Sequence, residues 1–311
     1  MLILWLIVLL AALYLLLGGL IFSAAFTQRA WPLNWLTRNR PLAPGWDEQI
    51  RQGMAQAKAL PHEDMWITSR DGLRLHAYWI PAENARRTIL CAHGFHGSPF
   101  RDFSGAATLF HSLGCNLLLI DQRSSGQSEG RYLTFGIREK YDLQAWLFQL
   151  ADRMGPEHPL YLDGISMGAT TVMWTLGLEL PSSLRGAIAD CGYTCVPEII
   201  SHTARQLLGI SAGWLLPAAA LWARVLAGVN IYKDHTRLSL ARNRRPVLVA
   251  HGMADSLVPF HMGQENAAYA RCEHPVFAPD AGHGLTYFYA YDEYLQEIKA
   301  LFSRCENRSE K

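Results

Sequence analysis

From Leu2 to Phe22 the chain is an almost unbroken run of Leu, Ile, Val, Ala, Trp and Tyr, and no charged side chain occurs between Met1 and Gln28. About twenty such residues cross a bilayer as a helix, because each adds about 1.5 Å and every backbone polar group is satisfied internally. The pattern therefore predicts a transmembrane helix over residues 1–28. A cleaved secretory leader is the competing reading; such leaders ordinarily start with basic residues and have a shorter apolar core. This chain opens Met-Leu-Ile-Leu-Trp, although Ser23, Ala24 and Ala25 would suit a cleavage site. Arg29, Arg38 and Arg40 follow the run and nothing basic precedes it except the amino terminus, which puts the remainder in the cytoplasm by the positive-inside tendency. Residues 29–46, with Pro32, Pro41, Pro44 and Gly45, read as a juxtamembrane linker. Its Trp31, Trp35 and Trp46 sit either at the lipid interface or against the domain that follows.

Beyond the linker, residues 47–311 change period repeatedly. An amphipathic stretch at Asp47 to Leu60 predicts a helix. Glu63 to Thr68 and Leu73 to Ile80 then alternate as strands do, and the Asp71-Gly72 pair between them predicts a hairpin. Short apolar runs follow at Thr88 to Ala92, Cys115 to Ile120, Leu160 to Asp163, Gly186 to Asp190, Pro246 to Ala250 and Pro275 to Ala278. Helical periods separate them near Phe103 to Ser112, Arg138 to Arg153, Met167 to Gly177, His261 to Arg271 and Tyr287 to Phe302. Uniformly apolar runs are what a parallel sheet covered on both faces requires. The expected fold class is α/β, with a mostly parallel central sheet flanked by helices. One connection, residues 196–244, is oversized. Its apolar segment Leu207 to Val229 is interrupted by Gly213, Pro217 and Arg224, so one or two helices of a small cap over the site are expected there in preference to a second membrane span.

Half of the residues are hydrophobic, which excludes a disordered chain, and the formal charge of +1 argues against nucleic acid as a partner. The six cysteines are scattered, several in apolar runs, and read as mostly reduced. Cys191 and Cys195 lack the spacing of a zinc or redox pair, so no metal is expected. Neither glycine-rich nucleotide motif is present, so no nucleotide cofactor is expected either.

The chemistry concentrates where predicted strands end. Gly164-Ile165-Ser166-Met167-Gly168 lies directly after one strand and before a helix, where glycines permit a sharp turn that lifts a serine hydroxyl clear of the sheet. A serine hydroxyl is a weak nucleophile until a histidine takes its proton and a carboxylate fixes the tautomer of that histidine. Asp255, in His251-Gly252-Met253-Ala254-Asp255, and His283, in Ala281-Gly282-His283-Gly284, follow the last two predicted strands. Asp190 ends another strand and is the alternative acid, with tethering of its own loop as its other reading. The oxyanion of a tetrahedral intermediate needs two N–H donors, for which Met167, next to the nucleophile, and Phe95, in His93-Gly94-Phe95-His96-Gly97, are the candidates. His93 and His96 are read as support for that loop, Glu139 and Lys140 as a solvated helix start, and Tyr193 as a pocket wall.

The ordered set HGFHG, DQRSSGQSEG, GISMG, HGMADSLVP and AGHG resembles the α/β-hydrolase superfamily, in particular a membrane-tethered bacterial branch similar to the dienelactone-hydrolase-like proteins. The resemblance runs from about Glu63 to Phe302. It implies Ser166, Asp255 and His283 as the catalytic triad, the backbones of Phe95 and Met167 as the oxyanion hole, and a structural, non-catalytic role for the turn from Asp121 to Ser128. The expectation is a membrane-anchored serine hydrolase acting on small esters of lipid-like or aromatic alcohols, without cofactor. The same triad would serve a thioesterase or amidase. Cofactor-free peroxidase or lyase chemistry on this fold, and a non-catalytic membrane scaffold, are the rival classes.

Overall fold

A computed structural model describes residues 1–27, 45–209, 211 and 213–306. The apolar run forms one helix, α1 (Leu2–Phe26), and α2 (Asp47–Ala59) follows. Strands β1 (Glu63–Thr68) and β2 (Arg74–Ile80) form the expected hairpin, with Glu63 opposite Trp79 and Thr68 opposite Arg74. Then come β3 (Arg87–Ala92), α3 (Pro99–Asp102), α4 (Ala106–Ser112), β4 (Cys115–Ile120), α5 (Glu139–Met154), β5 (Leu160–Ile165), α6 (Met167–Thr175) and β6 (Leu184–Asp190). The long connection holds α7 (Val196–Leu208), a 3-10 turn (Gly213–Leu215), α8 (Leu216–Trp222), a π turn (Ala223–Ala227) and α9 (Thr236–Leu240). The chain ends with β7 (Val247–Gly252), α10 (Phe260–Ala270), β8 (Val276–Ala278), α11 (Thr286–Tyr289) and α12 (Tyr291–Glu306).

The strands make one eight-stranded sheet in the order β1-β2-β4-β3-β5-β6-β7-β8. The hairpin is antiparallel to its neighbours and every pairing from β4 through β8 is parallel. Because β4 lies on one side of β3 and β5 on the other, the loops leaving β3 and β5 diverge and open a crevice at the carboxyl edge, where open α/β sheets bind ligands.

Period-2 alternation explains why the inner strands are apolar throughout. Ile89 and Cys91 of β3 join Leu117 and Leu119 of β4 in the cluster beneath α4 and α12, whereas Leu90, Ala92, Leu118 and Ile120 face the cluster beneath α5 and α6. Each fully buried Leu or Ile contributes about 1.5–3 kcal/mol.

Some boundaries differ from expectation. The helix expected at Phe103 to Ser112 begins earlier and in two pieces, α3 and α4, since Pro99 stands in the first turn of α3 where its missing N–H has no cost. The helix expected at Tyr287 to Phe302 breaks at Ala290, whose φ of −124° and ψ of 42° are not helical. The connection after β6 has more pieces than one or two helices: Gly209 and Gly228 take left-handed conformations that end α7 and the π turn, and Pro217 opens α8 instead of interrupting a span.

Helix α1 is exposed over most of its length, but Gly18, Phe22 and Phe26 are buried. Gly18 lies where any side chain would collide with Ala218 of α8. Along the same seam the Trp222 indole N–H donates to the carbonyl of Leu15 at 2.8 Å and the Tyr14 hydroxyl to that of Trp214 at 3.0 Å. The far end is tied down by a 3.0 Å bond from the Leu133 N–H to the Phe26 carbonyl. Trp46 packs on Phe288 and Tyr289, and Trp31 and Trp35 lie outside the described residues. None of the six cysteines, all of them among the described residues, is joined in a disulfide.

Candidate active site

Ser166 occupies the turn between β5 and α6 with φ 58° and ψ −118°, a conformation costly for any residue with a Cβ. Glycine is required on either side: a side chain at Gly164 would run into the carbonyl of Gly168, and one at Gly168 into that of Ala92. The Ser166 N–H donates to the Asp190 carbonyl at 2.9 Å.

His283 reaches this turn from the loop after β8. Its Nε2 lies 2.8 Å from Ser166 Oγ and its Nδ1 2.7 Å from Asp255 Oδ2. The second oxygen of Asp255 accepts the backbone N–H groups of Leu257 and Val258 at 2.8 and 2.9 Å, which fixes the carboxylate. Burial opposes charge on both partners. Even so, Asp255 and His283 stabilise each other's ionised forms, so the Asp255 carboxyl is lowered below its usual range and the His283 imidazole raised well above its own. In the neutral ring the Asp255 contact holds the proton on Nδ1 and leaves the Nε2 lone pair facing Ser166 Oγ, which is the tautomer a general base needs.

The structure separates the two acids weighed from the sequence. Asp190 does not meet His283; its Oδ1 accepts the Thr286 hydroxyl at 2.9 Å, and burial lifts its carboxyl to about 6. It anchors the segment that follows His283.

Gly94 approaches the nucleophile so closely that a Cβ there would lie 3.2 Å from that of Ser166. The next residue, Phe95, sits in a tight turn closed by a 3.1 Å bond from the Gly97 N–H to the Gly94 carbonyl, and Asp102 Oδ2 accepts the Gly94 N–H at 2.6 Å. Neither the Phe95 nor the Met167 N–H has an acceptor among the described residues. His93 is structural: Nδ1 lies 2.8 Å from the Gly94 carbonyl and Nε2 accepts the Gln122 N–H. The turn from Asp121 to Ser128 is held by Asp121, whose Oδ2 meets His76 Nδ1 at 2.8 Å and the Gln127 N–H at 3.0 Å, away from the triad.

Glu139 and Lys140 are not a solvated helix start. Both are buried: Glu139 accepts from the N–H and hydroxyl of Thr134 and the N–H of Gly136, and Lys140 pairs with Asp234 at 2.6 Å. Glu139 thereby folds back the loop carrying Phe135, which stacks on Phe95 at 5.1 Å and accepts the Tyr193 hydroxyl through its carbonyl at 2.8 Å. Tyr193 is thus buried in the wall beside the turn. Met167, Phe135, Tyr193 and Val196 share one apolar cluster with Phe22 and Phe26 of α1, a contribution to the site that the sequence did not disclose.

Cys191 Sγ, an Asp255 oxygen and a His283 nitrogen lie within 4.8 Å of one another. His283 already bonds to Asp255 through one ring nitrogen and to Ser166 through the other, so these groups lie on a proton path. Burial pushes the Cys191 thiol up to about 11, so it stays protonated near neutral pH.

No protein-family model matches the chain. It is 23% identical to the Bacillus subtilis protein YqkD over 245 residues, which cover 78% of this chain and 80% of YqkD. It is 21% identical to the Saccharomyces cerevisiae membrane protein YNL320W over 250 residues, 79% of this chain and 81% of the yeast protein. Among solved structures it is similar to the Pyrococcus furiosus esterase Pf2001, with a TM-score of 0.63 and 22% identity, covering 81% of this chain and 94% of that one. Strand order and structural likeness together establish the α/β-hydrolase fold.

Proposed function

We propose that the chain is a serine hydrolase that cleaves carboxylic esters through an acyl-enzyme on Ser166. The observation that carries this reading is the unbroken line of hydrogen bonds from Ser166 Oγ through His283 to Asp255 at the strained strand-to-helix turn. In the first step Ser166 Oγ attacks the ester carbonyl while His283 Nε2 takes the hydroxyl proton, and the same proton passes to the departing alcohol. A water then enters, gives its proton to His283 and attacks the acyl carbon, and Ser166 leaves with the proton restored. In both steps the Phe95 and Met167 N–H groups would receive the oxyanion; losing one such donor costs about 10²–10³ in rate.

Helix α1 is long and apolar enough to cross a membrane, and we assign it that role, with the catalytic domain of residues 47–311 on the cytoplasmic side and residues 196–244 as its cap. Likeness to a yeast membrane protein supports the tether. Trp214, Leu221, Val225 and Leu226 of the cap are 46–66% exposed, on the segment that packs along α1. Apolar surface so placed favours contact with lipid and a substrate that partitions into the bilayer, such as an ester with an acyl chain or an apolar alcohol.

Hydrolysis of p-nitrophenyl esters graded from acetate to palmitate by the full chain in detergent tests this. Turnover should rise from acetate toward medium and long chains and vanish in His283→Ala. Absence of hydrolysis across the series would contradict it.

A further inference from the structure

A cleft of about 660 Å³ lies between the β1–β2 hairpin turn, the start of α5 and the return of the chain from the cap. Six cationic side chains line it: Arg70, Arg123, Arg138, Lys140, Arg224 and Lys233. Three of them have acidic partners. Arg123 binds Asp142 through two 2.7 Å bonds, Arg138 binds Asp71 at 2.6 Å, and Lys140 binds Asp234 at 2.6 Å. Asp71 also reaches Arg123, and the nearby Glu139 is spent on Thr134 and Gly136. Pairing each acid with one base leaves Arg70, Arg224 and Lys233 without a countercharge among the described residues of the cleft.

These three come from separate parts of the chain. Arg70 stands on the hairpin turn with its guanidinium 5.0 Å from the Tyr141 ring, whereas Arg224 and Lys233 flank Gly228 on the cap return. Gly228, between them in the chain, turns the return with a φ of +65°, and a Cβ there would lie 2.5 Å from an Nη of Arg138. With two carboxylates, Asp71 and Asp234, against six cations in the lining, the recess has an excess of positive charge, which concentrates the field on an anionic ligand. Guanidinium forks match the paired oxygens of a phosphate and an ammonium adds a point charge. The recess also has a direction, since Ile137 and Val229 in its lining belong to the apolar cluster that holds Phe22 and Phe26 of α1.

From this convergence we propose that the cleft binds a phosphate group, carried either by the headgroup of an anionic phospholipid or by a soluble phosphate. A headgroup bound there would hold the domain beside the end of α1. This binding is separate from ester hydrolysis and stands or falls without it.

The test is the melting temperature of the full chain in dodecyl maltoside, with phosphatidylglycerol, phosphatidylcholine or inorganic phosphate added. Phosphatidylglycerol should raise it by about 3 °C or more over phosphatidylcholine, the size expected for a ligand well above its Kd. A rise with inorganic phosphate alone identifies the soluble source and equally supports the site. Arg224→Ala with Lys233→Ala should abolish the rise and leave p-nitrophenyl butyrate hydrolysis unchanged, while Arg242→Ala with Arg244→Ala, on exposed residues outside the cleft, should keep it. No rise with either ligand, or the same rise in both double variants, overturns the proposal.

Discussion

Asp190 supports the nucleophile turn through its backbone, not the base through its carboxylate: its carbonyl accepts the Ser166 N–H at 2.9 Å while its side chain holds Thr286. Two acids at neighbouring strand ends therefore divide the work, and mutation should separate them. Asp190→Asn keeps an acceptor for the Thr286 hydroxyl, and although it removes the charge of a carboxyl that titrates at about 6, it leaves the backbone carbonyl that holds Ser166 in place. It should lower kcat/KM less than about 10-fold. Asp255→Asn removes the group that fixes the His283 tautomer and should lower kcat by about 10⁴. Equal losses in the two variants would reverse the assignment.

The backbone of Ser166 makes a second prediction. At φ 58° and ψ −118° a Cβ is costly, so Ser166→Gly should melt higher than Ser166→Ala by a few degrees, corresponding to about 1–2 kcal/mol, with both variants inactive. Thermal unfolding of the two side by side measures it; a lower melting temperature for the glycine variant would mean that the turn is unstrained.

Activity should depend on pH through His283. Burial favours the neutral ring, but the Asp255 carboxylate outweighs it and raises the His283 pKa above the ordinary value near 6.5. Only the neutral ring accepts the serine proton, so kcat/KM should fall about tenfold per unit of pH below a midpoint that lies above 6.5. Asp255→Asn should move the midpoint of the residual activity downward. A midpoint at or below 6.5 in the native protein would contradict the pairing seen here.

Phe22 and Phe26 should matter for stability as well as for anchoring. Both are buried among Leu133, Phe135 and Val196, and truncating such a phenylalanine to alanine costs about 3–5 kcal/mol. Phe26→Ala should lower the melting temperature by several degrees in detergent, whereas Leu9→Ala, on the exposed part of α1, should not. Equal, small effects would mean that α1 is only a tether.

How far the sequence could be read follows from the physics of each part. Strands such as Leu117 to Ile120 were legible because both faces of the sheet are covered, which leaves an apolar run with no other use. Ser166, Asp255 and His283 were legible because each stands just past such a run. Composition could not distinguish lipid from protein as the neighbour of Phe22 and Phe26, since both surroundings select the same side chains. Glu139 and Lys140 were misread for a related reason: charged residues at a helix start are ordinarily solvated. Here the fold of the 133–137 loop buries Glu139, and the approach of Asp234 and Trp174 buries Lys140.

Activation of the Ser166 hydroxyl by His283 is read directly by a fluorophosphonate reagent, which phosphonylates only an activated serine. Mass spectrometry of the labelled full chain should find one adduct, on the peptide containing Ser166, lost in both Ser166→Ala and His283→Ala. An unlabelled native protein, or an adduct on any other residue, would mean that His283 does not activate Ser166.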